Sequence, residues 1–173
     1  MRTFYIIVSF LLCSMYSYGE ETIAEKIARA QSAAPDSISK NATIMDMDGK
    51  VLKKGTNGWT CLPGTLPGDK KPMCNDAVWG KMMKAVASKS DFSTDRIGIS
   101  YMLQGDAMVS NSNPYATDQK NGDVWVQEGP HLMIIVPKEM LKGITDDPFN
   151  GGPYVMWKDT PYAHIMVPVT VEK

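Results

Sequence analysis

Cys61 and Cys74 bracket the stretch LPGTLPGDKKPM, a loop with three prolines and two glycines. Such a stretch cannot be helical, because proline lacks a backbone N–H and glycine leaves the chain too free. It also has little core of its own, so its order has to come from what ties its two ends together. Whether the cysteines are bonded depends on the compartment, and the first residues of the chain speak to that.

The chain opens MRTFYIIVSFLLCSMYSYGEE. Arg2 gives a positive start, Phe4 to Met15 form an apolar stretch, and Ser17-Tyr18-Gly19 supply small residues around one larger one. That is the layout of a secretory signal peptide over residues 1–19, with cleavage after Gly19. A membrane anchor is the rival, but the apolar stretch is about half of the roughly 20 residues a spanning helix needs. A lipid anchor would want a small residue before the cysteine, and Cys13 follows Leu12. The expected mature chain is residues 20–173, exported to the periplasm or beyond, with no membrane segment left.

Removing the leader takes away Arg2 and Cys13. Of 18 Lys+Arg against 19 Asp+Glu, 17 and 19 remain, a balance of −2. A near-neutral surface whose densest basic runs are Lys53-Lys54 and Lys70-Lys71 does not call for nucleic acid or an anionic membrane. Cys61 and Cys74 are the two cysteines left, and an oxidising compartment favours their pairing. Closing a loop of this size is worth on the order of 3 kcal/mol. A redox pair would want C-x-x-C spacing, which is absent.

About 154 residues suffice for a single globular domain with one sizeable core. Near its start, ETIAEKIARAQSAA puts Ile23, Ile27 and Ala30 at helical spacing, and Pro35 ends the pattern. NATIMDMDGKVLKKG reads as a hairpin turning at Asp48-Gly49. A calcium loop on Asp46 and Asp48 is weaker, because Asn57 stands where an EF-hand needs a bidentate glutamate. NDAVWGKMMKAVASK predicts a helix over about 76–87, with Asn75 as its cap and Val78, Trp79, Met82, Met83 and Val86 on one face. The remainder reads as short strands: RIGISYMLQ with Ile97, Ile99, Tyr101 and Leu103 alternating, DVWVQ, and two histidine-led segments. Turn-rich stretches separate them, and a helical turn fits around KEMLKG. The expected fold class is α+β, a mainly antiparallel sheet with one strong helix, a short N-terminal helix and one disulfide.

The phrases NGWTCLPG, PMCNDAVW, YMLQGD, GPHLMI and GGPYVMWKDTPYAHIMVPV, between about Asn57 and Val169, resemble a family of exported bacterial proteins of unassigned function. That resemblance implies export and a bacterial source. It implies no activity, ligand or catalytic residue.

Hydrolytic motifs are missing: there is no G-x-S-x-G elbow and no H-E-x-x-H. Carboxylates such as Asp76, Asp106 and Asp159 need no signature to converge, so an exported enzyme pairing His131 or His164 with a carboxylate is one reading. The only two histidines stand in matching words, GPHLMIIVP at 129–137 and AHIMVPV at 163–169. On a strand, residues two apart share a face, so His131 with Met133, and His164 with Met166, each offer an imidazole beside a thioether. If the strands pair from the same end, the four form a ligand set suited to Cu(I). Against this, Leu132, Ile134, Val136, Ile165, Val167 and Val169 make both segments apolar on the other face too, as in buried strands. Between these stands a pocket for an unknown small molecule, with Tyr154, Trp157, Tyr162 and His164 crowded together among glycines and prolines, and His131 beside them. The reading that best fits is an exported, non-catalytic binding protein with no obligatory cofactor. The enzyme and the Cu(I) site are the alternatives.

Overall fold

The computed structural model describes residues 21–119 and 122–169. The leader expected over residues 1–19 lies outside them. Helix α1, Ile23–Gln31, starts at a capping box, in which Thr22 Oγ1 accepts the Glu25 N–H and Glu25 Oε2 accepts the Thr22 N–H. Its Ile27 and Ala30 turn toward the sheet, but Ile23 at the first position is exposed. Pro35 then caps the single turn of α2, Asp36–Ser39.

Strands β1, Thr43–Met45, and β2, Val51–Lys53, form the expected hairpin, with Gly49 supplying the positive φ of the turn at +86°. Asp46 beside that turn is held in an ion pair by Lys26 at 2.6 Å. Strand β3, Thr60–Leu62, runs parallel to β1, and β4, Met73–Asn75, returns antiparallel to β3. Then follow α3, Ala77–Ser88, and β5, Gly98–Met102. A separate two-stranded ribbon pairs β6, Val109–Ser110, with β7, Trp125–Val126. Strand β8 is His131–Ile135, β9 is Tyr154–Met156 and β10 is His164–Pro168, with a 3-10 turn at Lys138–Leu141 inside the KEMLKG phrase.

Eight strands make one sheet in the order β2-β1-β3-β4-β5-β8-β10-β9, antiparallel throughout except between β1 and β3. The fold is therefore α+β with a mixed, mostly antiparallel sheet. Among the described residues no helix is long and apolar enough to cross a membrane.

The two helices cover opposite faces at opposite halves. Helix α1 packs with Ile44, Cys61 and Cys74, while α3 lays Trp79, Met82 and Ala85 on Met102, Met133, Ile135 and Met166. Burial stabilises each of these large side chains by about 1.5–3 kcal/mol. The cap of α3 is Asp76, one residue later than the expected Asn75. Asp76 Oδ1 accepts the Trp79 N–H and Oδ2 accepts the Ile99 N–H, both at 2.8 Å. Asn75 stays in β4, where its side-chain oxygen accepts the Ser100 hydroxyl at 2.6 Å.

The apolar alternation of Ile97, Ile99, Tyr101 and Leu103 suggests that this face is the buried one, yet in β5 the buried residues are Gly98, Ser100 and Met102. The cause is the close approach of α3. A Cβ at Gly98 would lie 2.9 Å from Val78 Cβ, so the strand meets the helix with its smallest residues. Ile97 is left exposed, and Tyr101 packs against Trp59 on the opposite face, the rings tilted at 54°.

Cys61 and Cys74 are bonded, and they stand directly opposite one another on β3 and β4. The bridge is fully buried with Ala30, Ala33, Ala42 and Ile44 under α1. Thiol labelling of denatured, unreduced protein is expected to leave Cys61 and Cys74 unmodified, and label on both would refute the bridge. On the other face, Trp79→Ala is expected to cost about 3–5 kcal/mol by urea denaturation. A loss under about 1 kcal/mol would mean that α3 does not close the core.

Candidate functional site

The two histidines do lie on neighbouring strands, but β8 and β10 are antiparallel, so they enter the sheet from opposite ends rather than from the same end. Register pairs Met133 with Met166 and His131 with Pro168. The histidines therefore sit four residue steps apart, about 13 Å along the strands. One ion cannot draw on both imidazoles and both thioethers across that span, because nitrogen and sulfur ligands must lie within about 2–2.3 Å of it.

Each imidazole is held in the same way. His131 Nδ1 lies 2.8 Å from Gly129 O, and His164 Nδ1 lies 2.9 Å from Tyr162 O. A carbonyl only accepts, so Nδ1 carries the proton and Nε2 bears a lone pair. In both residues Nε2 is buried with no hydrogen-bond partner among the described residues. Burial is the main cause that holds the His131 pKa below the usual imidazole range, and burial brings His164 down to about 4. Both rings are thus neutral near pH 7.

The surroundings of the two ends differ. His164 stands edge-on between Trp79 and Trp157, with ring centroids at 5.1 and 5.0 Å. Trp157 itself is in the left-handed region at φ +55°, which costs an L residue about 1–2 kcal/mol. Four hydrogen bonds hold it there. Its N–H donates to Asn111 O and its indole N–H to Ser110 O, while its carbonyl accepts from the Thr160 N–H and hydroxyl. Tyr162 is buried close by, donating from its hydroxyl to Ser90 O at 2.8 Å and accepting from Tyr115. Of the five residues expected to line one pocket, Trp157, Tyr162 and His164 gather at this end. Tyr154 begins beside Met166, and its hydroxyl reaches Glu128 Oε1 at 2.9 Å toward the His131 end. Burial, then the Glu128 charge, holds that phenol well above its ordinary pKa.

Two depressions open near the His164 end. The tighter one, about 160 Å³, is lined by Phe92, Ser93, Ile135, Val136, Pro161 and Ala163. A wider one of about 580 Å³ has Leu141, Ile144 and Val155 with Lys142 and Lys158, and Lys138 borders both. Neither is lined by an imidazole.

The three carboxylates named from the sequence do not converge. Asp76 is spent on capping α3, Asp159 is exposed beside the wider depression, and Asp106 is buried beyond the far end of β5. Asp106 meets Glu128, which sequence reasoning missed and which no spacing signals: the Asp106 N–H donates to Glu128 O at 2.9 Å. Gly105 permits this approach, since its φ is +73° and a Cβ there would lie 2.8 Å from the same carbonyl. Burial pushes the Asp106 carboxyl up to about 6, helped by Asp69 and Glu128 and opposed by the Ala107 N–H and Lys71.

The unfolded carboxyl ionises near 3.9, so between about pH 4 and 6 the folded chain holds this proton more tightly than the unfolded chain does. Stability from Asp106 is accordingly greatest in acid and falls as pH rises through about 6. Asp106→Asn is expected to gain on wild type as the pH is raised from about 4.5 to 7.5, read from urea midpoints. Parallel pH profiles for the two chains would refute the buried carboxyl.

No family model, curated protein or solved structure matches the chain.

Proposed function

We propose that this chain is an exported binding protein that holds a small molecule in the depression at the His164 end of the sheet and performs no chemistry on it. The observation that carries the reading is Trp157. A large aromatic is kept in a disfavoured backbone state by four hydrogen bonds, at the turn from β9 into Thr160-Pro161, and Thr160 and Pro161 line the tighter depression. Backbone strain of this kind clusters at ligand sites, where the surrounding structure over-determines it.

Export rests on the leader-like residues 1–19 and on the Cys61–Cys74 bridge, which fits an oxidising compartment. The non-catalytic reading rests on the histidines. Each gives Nδ1 to a backbone carbonyl instead of a carboxylate and is shut off from solvent, so neither is placed to exchange protons with a substrate. The enzyme reading draws on one observation only, the Asp106 carboxyl raised to about 6 beside Glu128 and Tyr154.

Protein purified from its own exported fraction is expected to carry a small molecule at one per chain in native mass spectrometry. Ser93 is exposed and lines the tighter depression, so Ser93→Trp should fill it and lower occupancy about tenfold without moving the urea midpoint. A wild-type chain that carries nothing, or a variant loaded like wild type, would refute this site.

A further inference from the structure

We infer that the sheet face under α3 holds two separate binding sites for a soft monovalent cation, Cu(I) or Ag(I), one at each histidine. This goes beyond the depression at the His164 end and does not depend on it.

The register gives each histidine the same pair of sulfur neighbours. Met102 stands directly across from His131 on β5, and Met133 lies two residues along β8 on the same face. Met156 stands directly across from His164 on β9, and Met166 lies two residues along β10 on the same face. All six residues are buried. Directly opposed residues have Cβ atoms about 4.5–5.5 Å apart, and same-face neighbours along a strand are about 7 Å apart. Rotation about Cα–Cβ and Cβ–Cγ moves a methionine sulfur and rotation about Cγ–Sδ turns its lone pairs, so two thioethers and one imidazole nitrogen can close on a common point at each histidine. Met133 and Met166, one from each set, stand directly opposite one another.

The imidazoles are preset for this. Donation from Nδ1 to a backbone carbonyl fixes the tautomer and turns the ring, which is how metal-bound histidines are commonly oriented. The remaining Nε2 is buried at both positions and has no hydrogen-bond partner among the described residues.

Ligand chemistry selects the ion. One imidazole and two thioethers carry no charge, so a single positive charge is the least that must be buried, and thioether sulfur prefers Cu(I) to harder divalent ions. Among the described residues no group of three or more His, Cys, Asp or Glu could hold a metal ion, so a hard cation finds no competing site of that kind.

The test is anaerobic titration of the mature chain against the Cu(I)–bicinchoninate complex, read by loss of its colour. Wild type is expected to remove two equivalents. Met→Leu changes keep volume and remove sulfur, so the pair Met102→Leu with Met133→Leu should remove one equivalent, as should Met156→Leu with Met166→Leu. Far-UV circular dichroism checks that each variant folds. Ag(I) is expected to shift the 15N resonance of Nε2 in both histidines while Nδ1 keeps its proton. No uptake by wild type, undiminished uptake by the fourfold leucine variant, or a single equivalent abolished by either pair of changes would overturn the two-site assignment.

Discussion

One carboxylate, Asp76, fastens the larger core. Its two oxygens accept the Trp79 N–H at the start of α3 and the Ile99 N–H of β5, and its own N–H donates to Ile99 O at 3.0 Å. The helix is thus tied by its first turn to the strand over which it lies. Because the tie is so short, β5 must present glycine and serine to α3, and the bulk filling the space beyond comes from α3 itself and from β8, β10 and β9. That bulk is the methionine, histidine and tryptophan layer on which both functional arguments rest. A charged cap with two hydrogen bonds is a strong local device, since bonds to an ionised acceptor contribute about 1.5–3 kcal/mol each.

The sequence shows periodicity and punctuation well. The helix around Trp79, the hairpin at Asp48-Gly49 and the strands led by the histidines are all where pattern places them. It shows poorly which face of a strand is inside when both faces carry apolar residues. In β5 the apolar alternation points away from the helix, because steric closeness at Gly98 outweighs hydrophobicity. It also hides strand direction. The matched wording around His131 and His164 suggests strands entering from one end, but β8 and β10 run in opposite directions.

That wording has a structural origin. Each histidine is the residue at which the chain re-enters the sheet, after the excursion 103–130 before β8 and after the shorter one, 157–163, between β9 and β10. At re-entry the ring fastens to the carbonyl two residues back and so closes the excursion onto the strand. The same local task at two ends produces the same local sequence, with a polar ring leading an apolar strand. Nothing in either segment alone reveals that Met102 and Met156 stand across from the two rings, because those pairings are between strands. The Trp157 backbone state and the Asp106–Glu128 contact are likewise tertiary, and so lay beyond sequence reading.

The long connections 103–130, between β5 and β8, and 136–153, between β8 and β9, leave from opposite ends of the sheet. Their consequence is kinetic. Pairing β5 with β8, and β8 with the β9–β10 pair, requires closing a long connection before the first ladder hydrogen bond between them forms, so the entropy of closure comes ahead of any reward. Sheets built from such non-local pairs fold on the millisecond-to-second scale, where local helical bundles fold in microseconds to milliseconds. Until both connections close, the central strands stay apart, and the methionine-rich core between them is the last part of the molecule to be completed.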